Sequence, residues 1–348
     1  MNEPASSPLR LAIDASNLVA DRRGMGRYAR GIIHAALGNP GFVTTLLVRK
    51  PNEMALPLRE EFGREIPIVA ESSVTHRGRF DLVWYPFNGM RTVGAIPSVV
   101  TIHDAFAFTE PHPSFIGRAR EQRPIVRAAR HARVIITDSH WSSNEIIRIL
   151  KPARTPVVIP LQPDPFFFPA SEPVPAALIG KRFVLTVGAR EVRKNVVTLV
   201  HACAASFREG EVLVIVGTPS DAVREALDRT RLPHLLLTPN DHELRALYRN
   251  AEIVAVPSSA EGFGLTPAEA MACGAAVIAS DASAIPDAVG DAALLVPPFD
   301  VEAWSNAIRR VLDDRPLRDR LAASGVARYA VSTRLRAANE TLALFREL

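Results

Sequence analysis

Short runs of consecutive β-branched and aliphatic residues recur along this chain, and between them lie stretches whose apolar residues return every three or four positions. LRLAIDA, FVTTLLV, DLVWYP, SVVTIHD, RVIITDS and PVVIP are of the first kind and read as strands. MGRYARGIIHAAL, the arginine-rich GRAREQRPIVRAARHAR and SSNEIIRIL are of the second and read as helices. Strands without polar alternation belong in parallel sheets covered on both faces. Alternating with helices, they predict a doubly wound α/β domain over residues 1–165. The stretch IPLQPDPFFFPASEPVPAA then breaks the pattern, because proline fits neither a helix interior nor a central strand. Residues 166–180 are therefore expected to be a linker. The alternation restarts with RFVLTVG, NVVTLVHACAASF, EVLVIVG, SDAVREALDRT, HLLLT, DHELRALYRNA, IVAVPSS and AAVIAS, predicting a second domain over 181–330. After ALLVPP come three helical stretches, the last being TRLRAANETLALFREL within 331–348. Two similar sheets facing a cleft are the expected architecture.

Composition narrows the classes. A chain of 348 residues, 47% hydrophobic and 22% charged, suits two globular domains rather than disorder. Cys203 and Cys273 lie in apolar helical contexts and read as core residues, with no disulfide framework or metal site. The N-terminus lacks a basic-then-apolar leader and no apolar run is long enough to span a membrane, so a cytoplasmic protein is expected. The formal charge of +4 divides unevenly, +6 through Pro165 and −2 beyond it. Much of the excess lies in Gly117 to Arg133, where Arg120, Arg123, Arg127 and Arg130 recur at helical spacing. The ordinary reading is a solvated helix face; the functional one is attraction to an anionic membrane or a phosphate-bearing acceptor. Nucleic acid is disfavoured by the few aromatics and the lack of a binding motif.

Four motifs fall at carboxyl ends of predicted strands, where open α/β sheets bind ligands. GMGRYA (24–29) matches a dinucleotide fingerprint, but NLVADRR separates it from its strand, so only a loop bringing amides to a ligand is expected, with Gly26 in it. His103 ends SVVTIH and is a candidate substrate contact. VGAREVRKN clusters Arg190, Arg193 and Lys194, and cations beside helix N-terminal amides suit a diphosphate. In EGFGLTPAEAMACG, Thr266 reads as an N-cap, Pro267 as the first helical residue and Gly274 as the C-terminal cap. Thr266-x-x-Glu269 is then a capping box in which Glu269 serves only the backbone. Glu261 lies outside the helix and has no such structural duty.

The segment LYRNAEIVAVPSSAEGFGLTPAEAMACGAAVIASDASAIPDAVGDAALLVPP resembles the signature region of the large retaining glycosyltransferase family of GT-B fold, with two glutamates separated by seven residues. LTVGAREVRKN, GMGRY and VVTIHD fall in the order that family shows. The resemblance implies two Rossmann-like domains, with the last helix crossing back onto the first. It implies that Glu261 contacts the transferred sugar, that Gly262 and the amides of Phe263, Gly264 and Leu265 line sugar and diphosphate, and that Glu269 binds ribose. Lys194, with Arg193 or Arg190, would neutralise the departing diphosphate; Gly26 would approach the phosphates and His103 the sugar. Ala189 stands where relatives often have arginine, leaving the partner of Lys194 open between Arg190 and Arg193. Gln162 and Asp287 also depart from the usual glycine and glutamate. The implied activity moves a hexose, with retention and without metal or other cofactor, from a nucleoside diphosphate sugar to a hydroxyl of a glycan or lipid-linked acceptor. The RKN and GMGRY forms are most similar to users of GDP-mannose; the alternatives are a UDP-sugar enzyme or an inactive sugar-nucleotide-binding module. Contact with an anionic membrane at its inner face is the further expectation.

Overall fold

The computed structural model describes residues 7–21, 24–76, 78–112, 114–330 and 335–348. The expectations for residues 1–6, for Arg22 and Arg23 of the NLVADRR loop, and for 331–334 before the last helix lie outside the described residues. The chain divides into two compact units, one holding residues up to Leu161 together with Leu335–Leu348, the other beginning at Gln162.

The first unit holds β1 (Leu9–Asp14), α1 (Gly24–Leu37), β2 (Phe42–Val48), α2 (Pro51–Phe62), β3 (Ile68–Ala70), β4 (Leu82–Tyr85), β5 (Ser98–Thr101), α3 (Phe106–Thr109), α4 (Phe115–His131), β6 (Val134–Thr137), α5 (His140–Leu150) and β7 (Val157–Val158). Its seven strands lie in the order β3-β2-β1-β4-β5-β6-β7, paired in parallel throughout. Successive residues of β1 feed opposite cores: Leu11 and Ile13 pack with Ile32, Ile33 and Trp84, Ala12 with Val83, Val100 and Ile125. That double burial is why the strands carry no polar alternation. Three elements escape the hydrophobic pattern. Helix α2 carries Pro57 and buries only Leu58 and Phe62, β3 is three half-buried residues long, and α3 is four residues with none buried.

The second unit holds β8 (Arg182–Val187), α6 (Val196–Ser206), β9 (Glu211–Val216), α7 (Asp221–Thr230), β10 (His234–Leu237), α8 (Asp241–Asn250), β11 (Ile253–Val256), α9 (Leu265–Ala272), β12 (Val277–Ser280), α10 (Ile285–Val289), β13 (Ala293–Val296), α11 (Val301–Asp313) and α12 (Arg315–Arg328). Its sheet runs β10-β9-β8-β11-β12-β13, again all parallel. Both sheets therefore have the same winding, which reverses between β1 and β4 in one and between β8 and β11 in the other. Residues 166–180 lie in this second unit: Arg245 of α8 is stacked between the rings of Phe166 and Phe168 and ion-paired to Glu172. Cys203 and Cys273 are buried free thiols.

Helix α13 (Arg336–Arg346) packs on α1 of the first unit. Phe345 lies 5.7 Å from Trp84, Leu342 is buried beside it, and Arg346 donates to the Asn39 side chain. Burying two such side chains contributes about 1.5–3 kcal/mol each.

Candidate functional site

In the second unit the chain after β8 must cross to the cations of VGAREVRKN. Gly188 turns it with φ 84°, a left-handed conformation that glycine adopts without strain, and the Lys194 stem passes close beside it. The following turn, Val192–Lys194, ends at Asn195, held in the left-handed region at φ 51°. Asn195 pins the turn by donating Nδ2 to the carbonyls of Pro257, 3.1 Å, and Pro298, 2.5 Å, while its Oδ1 accepts from Thr198. The carbonyls lie just beyond β11 and β13, so one amide ties three strand ends together. An asparagine tolerates the conformation and supplies both donors. This role was not seen in the sequence; the signal was an Asn directly before an apolar helix.

So placed, Lys194 Nζ donates to Glu261 Oε1 at 2.6 Å, and Arg193 donates to Glu261 Oε2 at 2.7 Å and to the Ala260 carbonyl at 3.0 Å. Ser259 returns its amide to the Arg193 carbonyl at 2.7 Å, and the Glu261 amide donates to Ser283 Oγ at 2.8 Å. Glu261 is buried, which works against its charged form, but Lys194 and Arg193 outweigh this and hold its carboxyl below the ordinary range. Arg193, not Arg190, shares this carboxylate with Lys194; Arg190 is exposed and pairs with none of the described residues. The three charged groups bridge β8 and β11, the position where the winding of the sheet reverses and where such sheets receive ligands.

The helix after Glu261 starts differently from the expectation. Gly264, at φ 106°, caps α9, no side chain serves the cap, and Thr266 lies inside the first turn with Pro267 after it. The glycine makes the turn that a threonine was expected to make, and proline is tolerated because first-turn amides have no intrahelical acceptor. The capping box is therefore not formed. Gly262, Phe263 and Gly264 are buried and Leu265 is half-buried at this positive helix end. Glu269 is buried too and accepts from the Tyr248 hydroxyl at 3.2 Å. Gly274 closes the helix as expected: its amide and that of Ala275 return to the Met271 and Ala270 carbonyls at 2.9 and 3.0 Å.

Two predicted residues belong to the first unit. Gly26 lies in the first turn of α1, where a Cβ would stand 2.1 Å from the Asp21 carbonyl oxygen. Its own loop thus requires a glycine there, which the phosphate reading did not foresee. His103 follows β5 and is buried, with Nδ1 bonded to Asp138 Oδ2 at 2.6 Å and Nε2 to the Pro86 carbonyl at 2.9 Å. Burial pushes the imidazole down, but Asp138 and the Pro86 carbonyl more than reverse it, so its pKa is raised. A carbonyl only accepts, so Nε2 donates to Pro86, and Nδ1 faces the Asp138 carboxylate, which accepts in turn. GMGRY, expected as a loop, forms the first turns of α1, and its Tyr28 meets this ring edge-on at 5.1 Å. Asp138 was missed although it follows β6 as His103 follows β5. Also missed were Asp14 and Glu71, buried carboxyls whose pKa values burial raises.

Residues 172–328 match the family described as Glycosyl transferases group 1. The chain is 33% identical to O-antigen chain mannosyltransferase B of Escherichia coli, over 66% of this chain and 65% of that protein. It is 32% identical to the MMP alpha-(1->4)-mannosyltransferase of Mycolicibacterium hassiacum, over 54% of this chain and 47% of that protein. The chain thus spans less than two thirds of the length of these curated relatives. Among solved structures, sucrose-phosphate synthase from Thermosynechococcus elongatus superposes with a TM-score of 0.73 at 22% identity, covering 97% of this chain and 98% of that one. The fold is GT-B.

Proposed function

We propose, from the premise that residues 172–328 are a Glycosyl transferases group 1 domain on a GT-B fold, that this protein is a retaining hexosyltransferase. It transfers mannose from GDP-mannose to a hydroxyl of a glycan or lipid-linked acceptor. The observation that carries the reading is the clamp in which Lys194 and Arg193 converge on Glu261 beside the α9 N-terminus. Two cations, one carboxylate and a helix end leave net positive charge where a diphosphate would leave, and carboxylates beside it accept hydroxyls. That two relatives are mannosyltransferases by name supports the donor.

Donor binding then exchanges partners. Diphosphate oxygens draw Lys194 and Arg193 off Glu261, whose freed oxygens accept hydrogen bonds from the sugar. Phe263, Gly264 and Leu265 line sugar and diphosphate with Gly262, and Glu269 receives the ribose. As the bond from the anomeric carbon to the diphosphate oxygen breaks, the two cations and the helix end stabilise the charge that develops on that oxygen. No carboxylate is assigned as a nucleophile, so the acceptor hydroxyl attacks on the leaving-group face and passes its proton to the departing oxygen. His103 is not assigned as a base, because both its ring nitrogens are bonded to protein, at Asp138 and at the Pro86 carbonyl. With positive charge supplied by side chains, the reaction proceeds without metal. Gly26 keeps the approach of α1 and its loop close, and the arginine-rich α4 gives peripheral contact with an anionic membrane.

Thermal shift with GDP, UDP, ADP and their sugars tests the donor: a ligand at a hundred times its Kd adds about 2.7 kcal/mol, and GDP should give the largest shift. Proton NMR of the reaction in excess EDTA tests the rest. An α-linked product from an α-linked donor is expected; a β product, or activity lost to EDTA and restored by Mg²⁺ or Mn²⁺, overturns the mechanism.

A further inference from the structure

Helix α4 is held by one face only. Ile125, Ala128 and Ala129 are buried, the Met90 amide donates to the Pro124 carbonyl at 3.1 Å, and Gly89 lies so close to Pro124 that a Cβ would stand 2.6 Å from its backbone. The other face is unlike an ordinary solvated helix. At its N-terminal turn, capped by Ser114 through the Gly117 amide, Phe115 and Ile116 stand 87% and 73% exposed. They are the one adjacent pair among the exposed large apolar residues described. Scattered single exposures are normal; two neighbours projecting from a helix end are an apolar tip.

Arginines surround that tip. The helix carries five against a single glutamate, Glu121, which lies 3.7 Å from His112. A groove of about 570 Å³ is lined by Arg91, Ile116, Arg120, Arg123 and Arg127, with no carboxylate in its lining. A second, of about 360 Å³, continues along Arg123, Arg127, Arg130 and His131. Guanidinium forks suit phosphate oxygens, and only an interface with both phosphates and hydrocarbon uses the arginines and the apolar tip together.

We propose that α4 docks the protein on an anionic lipid surface, Phe115 and Ile116 entering the interface while the Arg91–Arg120–Arg123–Arg127 groove receives lipid phosphates. This deepens the membrane contact of the proposed function and rests on it only for its purpose, delivery to a lipid-linked acceptor. Among the described residues no helix is long and apolar enough to cross a membrane.

The test is flotation of the full chain, without donor, on phosphatidylcholine vesicles with and without phosphatidylglycerol. Binding to the anionic vesicles alone, weakening as salt rises, is expected. Each arginine near such a surface strengthens binding about fivefold, so Arg123→Glu with Arg127→Glu should lower partitioning about 25-fold or more. Phe115→Ser with Ile116→Ser should lower it about tenfold or more. Absence of binding at low salt, equal binding to neutral vesicles, or either double variant floating like the parent overturns the proposal. So does dextran sulfate retaining the Phe115→Ser, Ile116→Ser variant as tightly as lipid retains the parent, since the site would then be for a soluble polyanion. Donor hydrolysis without vesicles is measured on the same variants. Its retention with lost flotation supports the docking role, and its absence in the parent counts against the enzymatic reading alone.

Discussion

Each unit places a cation against a carboxylate at the carboxyl ends of its parallel strands, and the two pairs are built for opposite ends. His103 and Asp138 have side chains 6% and 2% exposed, and each remaining imidazole donor is spent on protein. Arg193, Lys194 and Glu261 are 20%, 15% and 11% exposed, with two cations sharing one acid. A buried pair with one partner each is costly to separate, whereas a shared carboxylate can surrender a cation and keep the other. The first pair therefore fixes a loop and the second can exchange partners. Their pH windows differ too. The raised pKa of His103 gives stability complete below about pH 6.5 and lost as pH rises through the folded value. The lowered pKa of Glu261 gives stability present above about pH 4.3 and lost as pH falls through the folded value.

The largest effect should come from breaking the locked pair. Asp138→Asn strands a buried imidazolium and is expected to cost about 3–5 kcal/mol by chemical denaturation. It should also remove the decline in stability above about pH 6.5, since the groups that raise His103 are Asp138 first and the Pro86 carbonyl and Asp104 after it. An unchanged pH profile would show that His103 is neutral in the folded protein.

On the exchangeable side, Lys194→Ala should lower turnover about 10²-fold or more, the loss typical of an oriented electrostatic donor, with a smaller loss of stability than Asp138→Asn. Full activity would remove its proposed role with the leaving group.

How far the sequence carried this comparison depended on the kind of signal. The two sheets were legible because buried parallel strands are continuous apolar runs; α2, β3, α3 and α10 were not, being short or interrupted by Pro57. Glu261 and Lys194 stood out as charges at strand ends, but the choice of Arg193 over Arg190 depended on the Asn195 turn, which only three separate strand ends define. Asp138 was hidden for the same reason: it acts on a residue 35 positions away. Thr266 misled because a glycine with positive φ caps a helix as well as a hydroxyl does, and the local pattern fitted both.

A milder variant separates the two duties of Glu261. Glu261→Gln keeps the shape of the side chain but releases Lys194 and Arg193 from their shared charge. Affinity for GDP should hold or rise, because the diphosphate no longer competes with a carboxylate, while turnover falls, since contacts made in the transition state register in kcat. Loss of GDP affinity would mean that the acid organises the cations for the ligand rather than competing with it.

The smallest effect concerns Glu269, which accepts from the Tyr248 hydroxyl. Tyr248→Phe removes one hydroxyl donor at 3.2 Å and leaves the ring in the core, so a cost of about 1 kcal/mol in stability is expected. If Glu269 binds ribose, Glu269→Gln should weaken GDP binding while Tyr248→Phe, which leaves the carboxylate in place, changes it little. Glu269→Gln keeps an oxygen that accepts from the Tyr248 hydroxyl and removes only the charge, so a purely structural glutamate would leave GDP affinity unchanged in both variants. A calorimetric titration of GDP against the two variants decides between those outcomes, because only a carboxylate that faces the ligand separates them.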